Sequence, residues 1–349
     1  MRAAVFHGPK DIRLEEIDTP TPGADEVVIQ VGAVGICGSD LEYYTGSSPL
    51  GTPDGKGPLV LGHELSGRVV QVGSDVDFLS KGQRVAVNPV QGAHHTDVAR
   101  SGNPNFDTSN VLGTSVNGAL AEFVVSRADA CHLLPDSITD EQGAFVEMLA
   151  SSVNAVEAAD IGFGDFVVIY GPGPVGLAQV QLAKLRGGVV LLVGTRDSRL
   201  KLGSELGADF VANVRDKASK HYVKDLVEFV RSVNSGSLAD RALVATTEMG
   251  ACQEALAVTG EGSIVVYMGL SGPEDAVSLP LLTSLVQAKQ VRFAWLYPHQ
   301  WPKTIRLLQR GLIDTSRIIS HVLPLDQINE AIQLLESRDD GALKVVIKP

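Results

Sequence analysis

Over residues 1–130 the hydrophobic positions come in short runs broken by glycine and polar turns. Residues 3–6 and 27–31 read as strands on either side of the turn Pro20-Thr21-Pro22-Gly23, and residues 69–72, 84–87 and 121–125 repeat the pattern. Beyond about residue 151 the pattern changes. Phe166–Tyr170 is a short apolar run rich in β-branched residues, as in a strand covered on both faces. A helical stretch follows at 177–185, then a second apolar strand at 189–193. A helix at 198–206, a strand at 210–212, a helix at 223–230 and a strand at 263–267 continue the alternation, which predicts a doubly wound parallel sheet. The tail holds two amphipathic helices, 302–309 and 325–336, and a closing strand at 344–347.

The junction of the first two buried strands carries Gly171-Pro172-Gly173-Pro174-Val175-Gly176, a G-x-G-x-x-G between strand and helix. In that setting the first glycine permits the tight turn, the second lets backbone approach a pyrophosphate, and the third lets helix and strand pack closely. Pro174 and Val175 lie in the loop, and free N–H groups and the positive end of the helix dipole face the phosphates. Dinucleotide binding is the expectation.

Composition narrows the partners. A net charge of −12 argues against nucleic acid or an anionic membrane as partner. Hydrophobic residues make up 44% of the 349, but no run approaches the ~20 apolar residues of a membrane span. The N-terminus turns polar too early for a signal peptide. The three cysteines, Cys37, Cys131 and Cys252, are too few and too scattered for a disulfide framework, so a cytoplasmic location is expected.

Cys37 lies in Gly35-Ile36-Cys37-Gly38-Ser39-Asp40, and His63 in Gly62-His63-Glu64. A thiolate and an imidazole suit zinc, a carboxylate can complete the set, and a catalytic zinc needs only three protein ligands. Taken singly, Cys37 reads better as a small buried side chain and His63 as a hydrogen-bonded surface or core histidine than either does as a ligand.

Taken together, Cys37-Gly38-Ser39-Asp40, Gly62-His63-Glu64 and the glycine loop resemble the zinc-dependent medium-chain dehydrogenase/reductase family. The match is close to the sorbitol (polyol) and threonine dehydrogenase branch, and the chain also resembles archaeal glucose dehydrogenases in general plan. Lys81-Gly82-Gln83-Arg84-Val85, Leu206-Gly207-Ala208-Asp209 and Ile319-Ser320-His321 extend the resemblance over essentially the whole chain. It implies an α/β protein: a GroES-like β-rich catalytic domain (1–150 and 291–349) interrupted by a Rossmann domain (151–290). It also implies one catalytic zinc bound by Cys37, His63 and a carboxylate, either Glu64 or Glu147 in Phe145-Val146-Glu147-Met148-Leu149. Ser39 matches the hydroxyl that relays the substrate proton, and Tyr297 a residue facing the substrate. The expected reaction is hydride transfer between a nicotinamide and a small alcohol or ketone, in a homodimer or homotetramer.

Three departures refine this. The family's structural-zinc lobe ends in an Arg-Ser-Gly-x-Pro-Asn segment, present here as Arg100 to Asn105, but its cysteine places hold Ala93, Thr96, Ala99 and Asp107, so no structural zinc is expected. Polyol dehydrogenases tend to place arginine before the substrate-facing tyrosine, whereas Leu296 precedes Tyr297. The last departure concerns the cofactor. The acid that holds an NAD ribose lies about 20 residues past the glycine loop; by the family's spacing its place is Gly194. Thr195, Arg196 and Arg199 follow, able to hold a 2′-phosphate by hydrogen bond and guanidinium fork, which points to NADP(H). A solvated turn with Arg196 and Asp197 neutralising each other is the other reading, and Asp197 could also serve as a displaced ribose acid. On this reasoning Gly194→Asp should favour NAD⁺. The rival functions are a zinc-free quinone or enoyl reductase, an NAD-dependent alcohol dehydrogenase, and a non-catalytic binding protein.

Overall fold

A computed structural model describes residues 1–48, 57–91, 110–296, 300–337 and 341–349. The chain divides into two compact units, Met1–Met148 with Pro298–Pro349, and Leu149–Tyr297.

The first unit is built on strands β1 (Arg2–Gly8), β2 (Asp11–Glu16), β3 (Glu26–Gly35), β4 (Leu59–Val60), β5 (Glu64–Val72), β6 (Arg84–Val87), β7 (Phe123–Arg127) and β8 (Cys131–Leu133). Strand β3, EVVIQVGAVG, is apolar almost throughout and only Gln30 is exposed along it. It can therefore be covered on both faces, and it pairs antiparallel with β5 and with β7.

The second unit is a six-stranded sheet made from β9 (Phe166–Tyr170), β10 (Val189–Gly194), β11 (Phe210–Asn213), β12 (Ala239–Val244), β13 (Thr259–Tyr267) and β14 (Gln290–Phe293). Its spatial order is β11-β10-β9-β12-β13-β14, with every pair parallel. This is the order of two mononucleotide-binding halves, reversing direction between β9 and β12. Because β14 pairs with β13, residues 290–293 belong to this sheet, and the chain leaves it later than residue 291. Asp225 caps the helix Leu226–Val233 by accepting from the Glu228 N–H (3.0 Å), which starts that helix three residues after the 223 that its pattern suggests.

The tail returns to the first unit as β15 (Ile319–Pro324) and β16 (Lys344–Lys348). Strand β16 pairs with β3, Val346 opposite Gly35, so the first sheet reads β15-β16-β3-β5-β6-β8. Leu325, Ile328, Ile332, Val345 and Ile347 enter the same core as Val34, Ile36 and Leu65. Residues 325–336 are a 3₁₀ turn, Leu325–Gln327, followed by the α-helix Ile328–Glu336. No helix among the described residues is long and apolar enough to cross a membrane.

His132 of β8 stacks on Trp301, the first residue of the helix Trp301–Gln309, with ring centroids 5.0 Å apart and planes 7° from parallel. Burial alone lowers the His132 pKa from 6.5 to about 4. The native state thus holds a neutral imidazole over a range in which the unfolded chain takes up a proton. Stability from this residue is complete above pH 6.5 and is lost as pH falls towards about 4. Discounted for partial exposure, the loss is roughly 1–3 kcal/mol. His132→Phe keeps the stack and removes the titration, so its thermal midpoint should fall less than that of the parent between pH 7 and about 4. Parallel melting curves for the two proteins would reveal the mechanism as wrong.

Candidate metal and cofactor sites

Two turns of the first unit supply the candidate metal ligands. Cys37 follows β3 and is the N-cap of the helix Gly38–Thr45, while His63 and Glu64 stand at the start of β5. The β3–β5 register places Gly35 opposite Glu64. A Cβ on Gly35 would overlap the Glu64 carboxylate, so only glycine leaves that carboxylate its place. Gly62 has φ +91°, the left-handed region that an L side chain resists, and it turns the chain into His63.

Asp40, itself buried, ties the two turns together. Its Oδ2 accepts from the Cys37 N–H (2.9 Å) and its Oδ1 from the Gly62 N–H (3.1 Å). The same Oδ1 lies 3.6 Å from His63 Nδ1, a buried nitrogen with no hydrogen-bond partner among the described residues. Cys37, His63 and Glu64 each offer a ligand atom, all within 4.8 Å of one another. Glu147, in the first turn of the helix Val146–Ala158, is buried but stands outside that group.

The charges fit a cation. Burial works against a protonated His63, yet Asp40 and Cys37 outweigh it and place His63 well above the ordinary histidine range. Lys344, at the start of β16, donates to Glu64 Oε1 (2.7 Å) and Oε2 (2.8 Å) and to the Ile36 carbonyl (3.1 Å). Burial disfavours its ammonium too, but Glu64, with Cys37 and Glu147 behind it, raises its pKa above the ordinary lysine value. A buried cluster of thiol, imidazole and carboxylates that draws protons and an ammonium towards itself is chemically suited to a divalent metal with N, S and O ligands. Ser39, in the first turn of the Cys37-capped helix, is partly exposed beside it in sequence.

The glycine loop of the second unit behaves as its spacing demands. Gly171 has φ +97° and its N–H donates to the Val193 carbonyl (3.0 Å). A Cβ on Gly176 would run into the Gly171 carbonyl oxygen, whereas one on Gly173 would meet nothing within 4 Å. The first and third glycines are packing positions; the second faces open space, where a pyrophosphate can approach. Gly173 is the N-cap of the helix Pro174–Leu185, with Pro174 and Val175 in its first turn. Gly194 closes β10, and Thr195, Arg196 and Arg199 follow around the N-terminus of the helix Asp197–Glu205. Asp197 Oδ1 accepts from Asn213 Nδ2 (2.7 Å) and Ser219 Oγ (2.7 Å), bonds that hold its pKa below the usual carboxylate range. That oxygen is committed to β11 and the turn after it.

Sequence reasoning missed two residues here, Asp40 as the tie between the turns and Lys344 as the partner of Glu64. The signal for Lys344 was a lysine opening an apolar strand, Val345-Val346-Ile347, that enters the core. Tyr297 lies outside the described residues, as do Ala93, Thr96, Ala99 and Asp107 of the lobe that lacks cysteines.

Comparison with known proteins agrees with this geometry. Residues 23–136 match the alcohol dehydrogenase GroES-like domain, and residues 174–310 match the zinc-binding dehydrogenase model. Sorbitol dehydrogenase of Ovis aries is 32% identical over 347 residues, covering 99% of this chain and 95% of its own. Among solved structures, 2R,3R-butanediol dehydrogenase from Bacillus subtilis superposes with a TM-score of 0.88 at 28% identity, covering 100% of this chain and 99% of its own. A zinc-binding dehydrogenase from Sinorhizobium meliloti 1021, bound to NADP, gives 0.90 at 26% identity with the same coverage. With a GroES-like domain, a Rossmann sheet in the dinucleotide-binding order and a Cys-His-Glu cluster, the chain belongs to the zinc-dependent medium-chain dehydrogenase/reductase family of alcohol dehydrogenases.

Proposed function

We propose that this chain is a zinc-dependent, NADP(H)-preferring dehydrogenase acting on a secondary hydroxyl, or the matching ketone, of a small polar molecule such as a polyol, sugar or diol. The observation that carries the reading is the convergence of Cys37, His63 and Glu64 within 4.8 Å in a chain that also has the Rossmann glycine loop. The substrate class is supported by relatives named sorbitol dehydrogenase and 2R,3R-butanediol dehydrogenase. Leu296 in place of arginine, and an aromatic content of only 5%, favour a small substrate with fewer hydroxyls than sorbitol.

Cys37, His63 and Glu64 would hold a zinc, which would supply Lewis acidity towards the substrate oxygen. The protein's own groups do the rest. Asp40 holds the Cys37 and Gly62 backbone so that thiol and imidazole face the same point. Lys344 keeps one positive charge beside Glu64, and the buried Glu147 adds a second carboxylate to the balance. Ser39 Oγ is the proposed group that passes the substrate proton towards solvent. The glycine loop and the N-terminus of Pro174–Leu185 hold the cofactor's pyrophosphate, and the absence of an acid at Gly194, followed by Thr195, Arg196 and Arg199, favours a 2′-phosphate.

We further propose that the enzyme acts with a second copy of itself, at least as a homodimer. The helix Leu281–Val286 turns its apolar side outwards: Leu281, Leu282, Leu285 and Val286 are each 73–78% exposed, while Ser284 is buried. Phe293, on the free edge strand β14, is 76% exposed. Covering each such side chain is worth about 1.5–3 kcal/mol, and a twofold axis lets two such edges and two such helices cover one another.

A panel of polyols, sugars, diols and aromatic alcohols, assayed with each cofactor, should show turnover of small secondary alcohols and a higher kcat/KM with NADP⁺ than with NAD⁺. Arg196→Ala should raise the KM for NADP⁺ at least tenfold and for NAD⁺ little. Activity confined to primary aromatic alcohols would sink the substrate class, and a preference for NAD⁺ the cofactor assignment. Elemental analysis should return one tightly held zinc per chain. Cys37→Ala should lose that zinc and all turnover while still binding NADPH, since the two sites lie on different units. Two zincs per chain, or an active Cys37→Ala protein, would contradict this assignment. Light scattering should find a dimer or tetramer, and Leu285→Glu/Phe293→Glu should shift it to monomer; a monomeric parent would end the oligomer proposal.

A further inference from the structure

The end of β10 and the glycine loop are packed so closely that position 194 has no room for a side chain. A Cβ on Gly194 would lie 2.5 Å from Pro172 Cγ and 2.7 Å from Pro172 Cδ, with Leu200 Cδ2 at 3.3 Å. Unbonded carbons settle at about 3.5–4.0 Å, so both proline contacts are overlaps. Leu200 ends in a methyl group that can swing aside. Pro172 can only repucker, which moves Cγ but leaves Cδ in place, because its ring closes on its own backbone nitrogen and fixes φ. Its neighbours hold it as well. Gly171 is tied to β10 through the Val193 carbonyl, and a Cβ there would press on the Ala245 carbonyl oxygen at 2.8 Å. On the other side, Gly173 begins the helix Pro174–Leu185.

Position 194 is also where a fold that takes NAD would carry its ribose-binding acid. We propose that Pro172 is a specificity-determining residue for the cofactor. Its ring occupies the space that the stem of an acid at 194 would need, so proline at 172 and glycine at 194 are a matched pair. The inference rests on reading residues 194–199 as an NADP(H)-selecting segment and adds a steric cause to it. The strand end stays free of negative charge because the loop leaves it no side chain. The sequence-based expectation for Gly194→Asp changes accordingly. The aspartate alone drives its Cβ into Pro172 and distorts the phosphate-binding turn, which harms both cofactors rather than exchanging one for the other. An acid becomes useful only when the proline ring is gone.

A double-mutant cycle tests this on the full-length protein: parent, Gly194→Asp, Pro172→Ala and the double variant. NADH and NADPH dissociation constants would come from nucleotide fluorescence, and thermal midpoints would be measured without cofactor. Gly194→Asp should weaken both nucleotides at least tenfold and lower the midpoint. The double variant should recover the midpoint and bind NADH at least tenfold more tightly than Gly194→Asp, while NADPH stays weak. Gly194→Ala, with and without Pro172→Ala, isolates the Cβ clash from the charge and should show the same rescue of the midpoint. Contacting residues are expected to couple in this way, whereas independent ones add. Additive effects, or a Gly194→Asp protein that binds NADH as tightly as the double variant, overturn the role of Pro172. A parent that binds NADH more tightly than NADPH overturns the cofactor reading instead, and with it any part Pro172 has in selecting NADP(H).

Discussion

The first unit depends on a buried ion pair between residues 280 positions apart, Lys344 and Glu64. Neither side chain is appreciably exposed, and each alone would be an uncompensated charge in the core. Removing one partner of such a pair typically costs about 3–5 kcal/mol. The pair brings two strands together at the metal-binding end of the unit, since β16 and β5 both flank β3. It also sets the local charge. Cys37, Asp40, Glu64 and Glu147 can together bring four negative charges and Lys344 returns one positive charge, so a divalent ion brings the cluster close to balance. A low-dielectric interior favours that balance strongly.

Asp40 does a different job with the same economy of groups. Its two oxygens accept from two backbone N–H groups on separate turns and come close to the His63 ring. Outer carboxylates of this kind fix the orientation of a ligand histidine and add to its basicity. The glycines around them supply what side chains would obstruct, with Gly35 clearing the Glu64 carboxylate and Gly62 turning the chain before His63.

Much of this was legible in the residues. Phe166–Tyr170 and residues 189–193 are apolar runs of strand length, each with three β-branched residues, and both are strands; the glycine loop between them takes the conformation its spacing requires. Strand β12 was harder to see because Asp240 and Arg241 interrupt its apolar pattern. The structure explains them: Asp240 accepts from the Phe166 N–H (2.7 Å) and Arg241 pairs with Asp165 (3.0 Å), both anchoring the start of β9. Such charges are satisfied by a strand far away in sequence, and no local periodicity encodes that. The same holds for Lys344, whose partner is known only once β16 lies beside β3. The close packing of Pro172 on Gly194 is equally non-local, for it depends on how a loop after one strand meets the end of the next.

The interrupted layout of the first unit has a consequence for biosynthesis. A ribosome emits Cys37, His63 and Glu64 early, then the whole of the second unit, and only afterwards Lys344. Until that lysine arrives, Glu64 has no ammonium and β3 lacks its β16 neighbour. The nucleotide-binding sheet, contiguous in sequence, can close on itself while the nascent chain is still growing. The metal cluster cannot reach its final charge or geometry at that stage. The connectivity thus makes completion of the metal cluster wait for the last residues of the chain, while the second unit has all of its strands before they emerge.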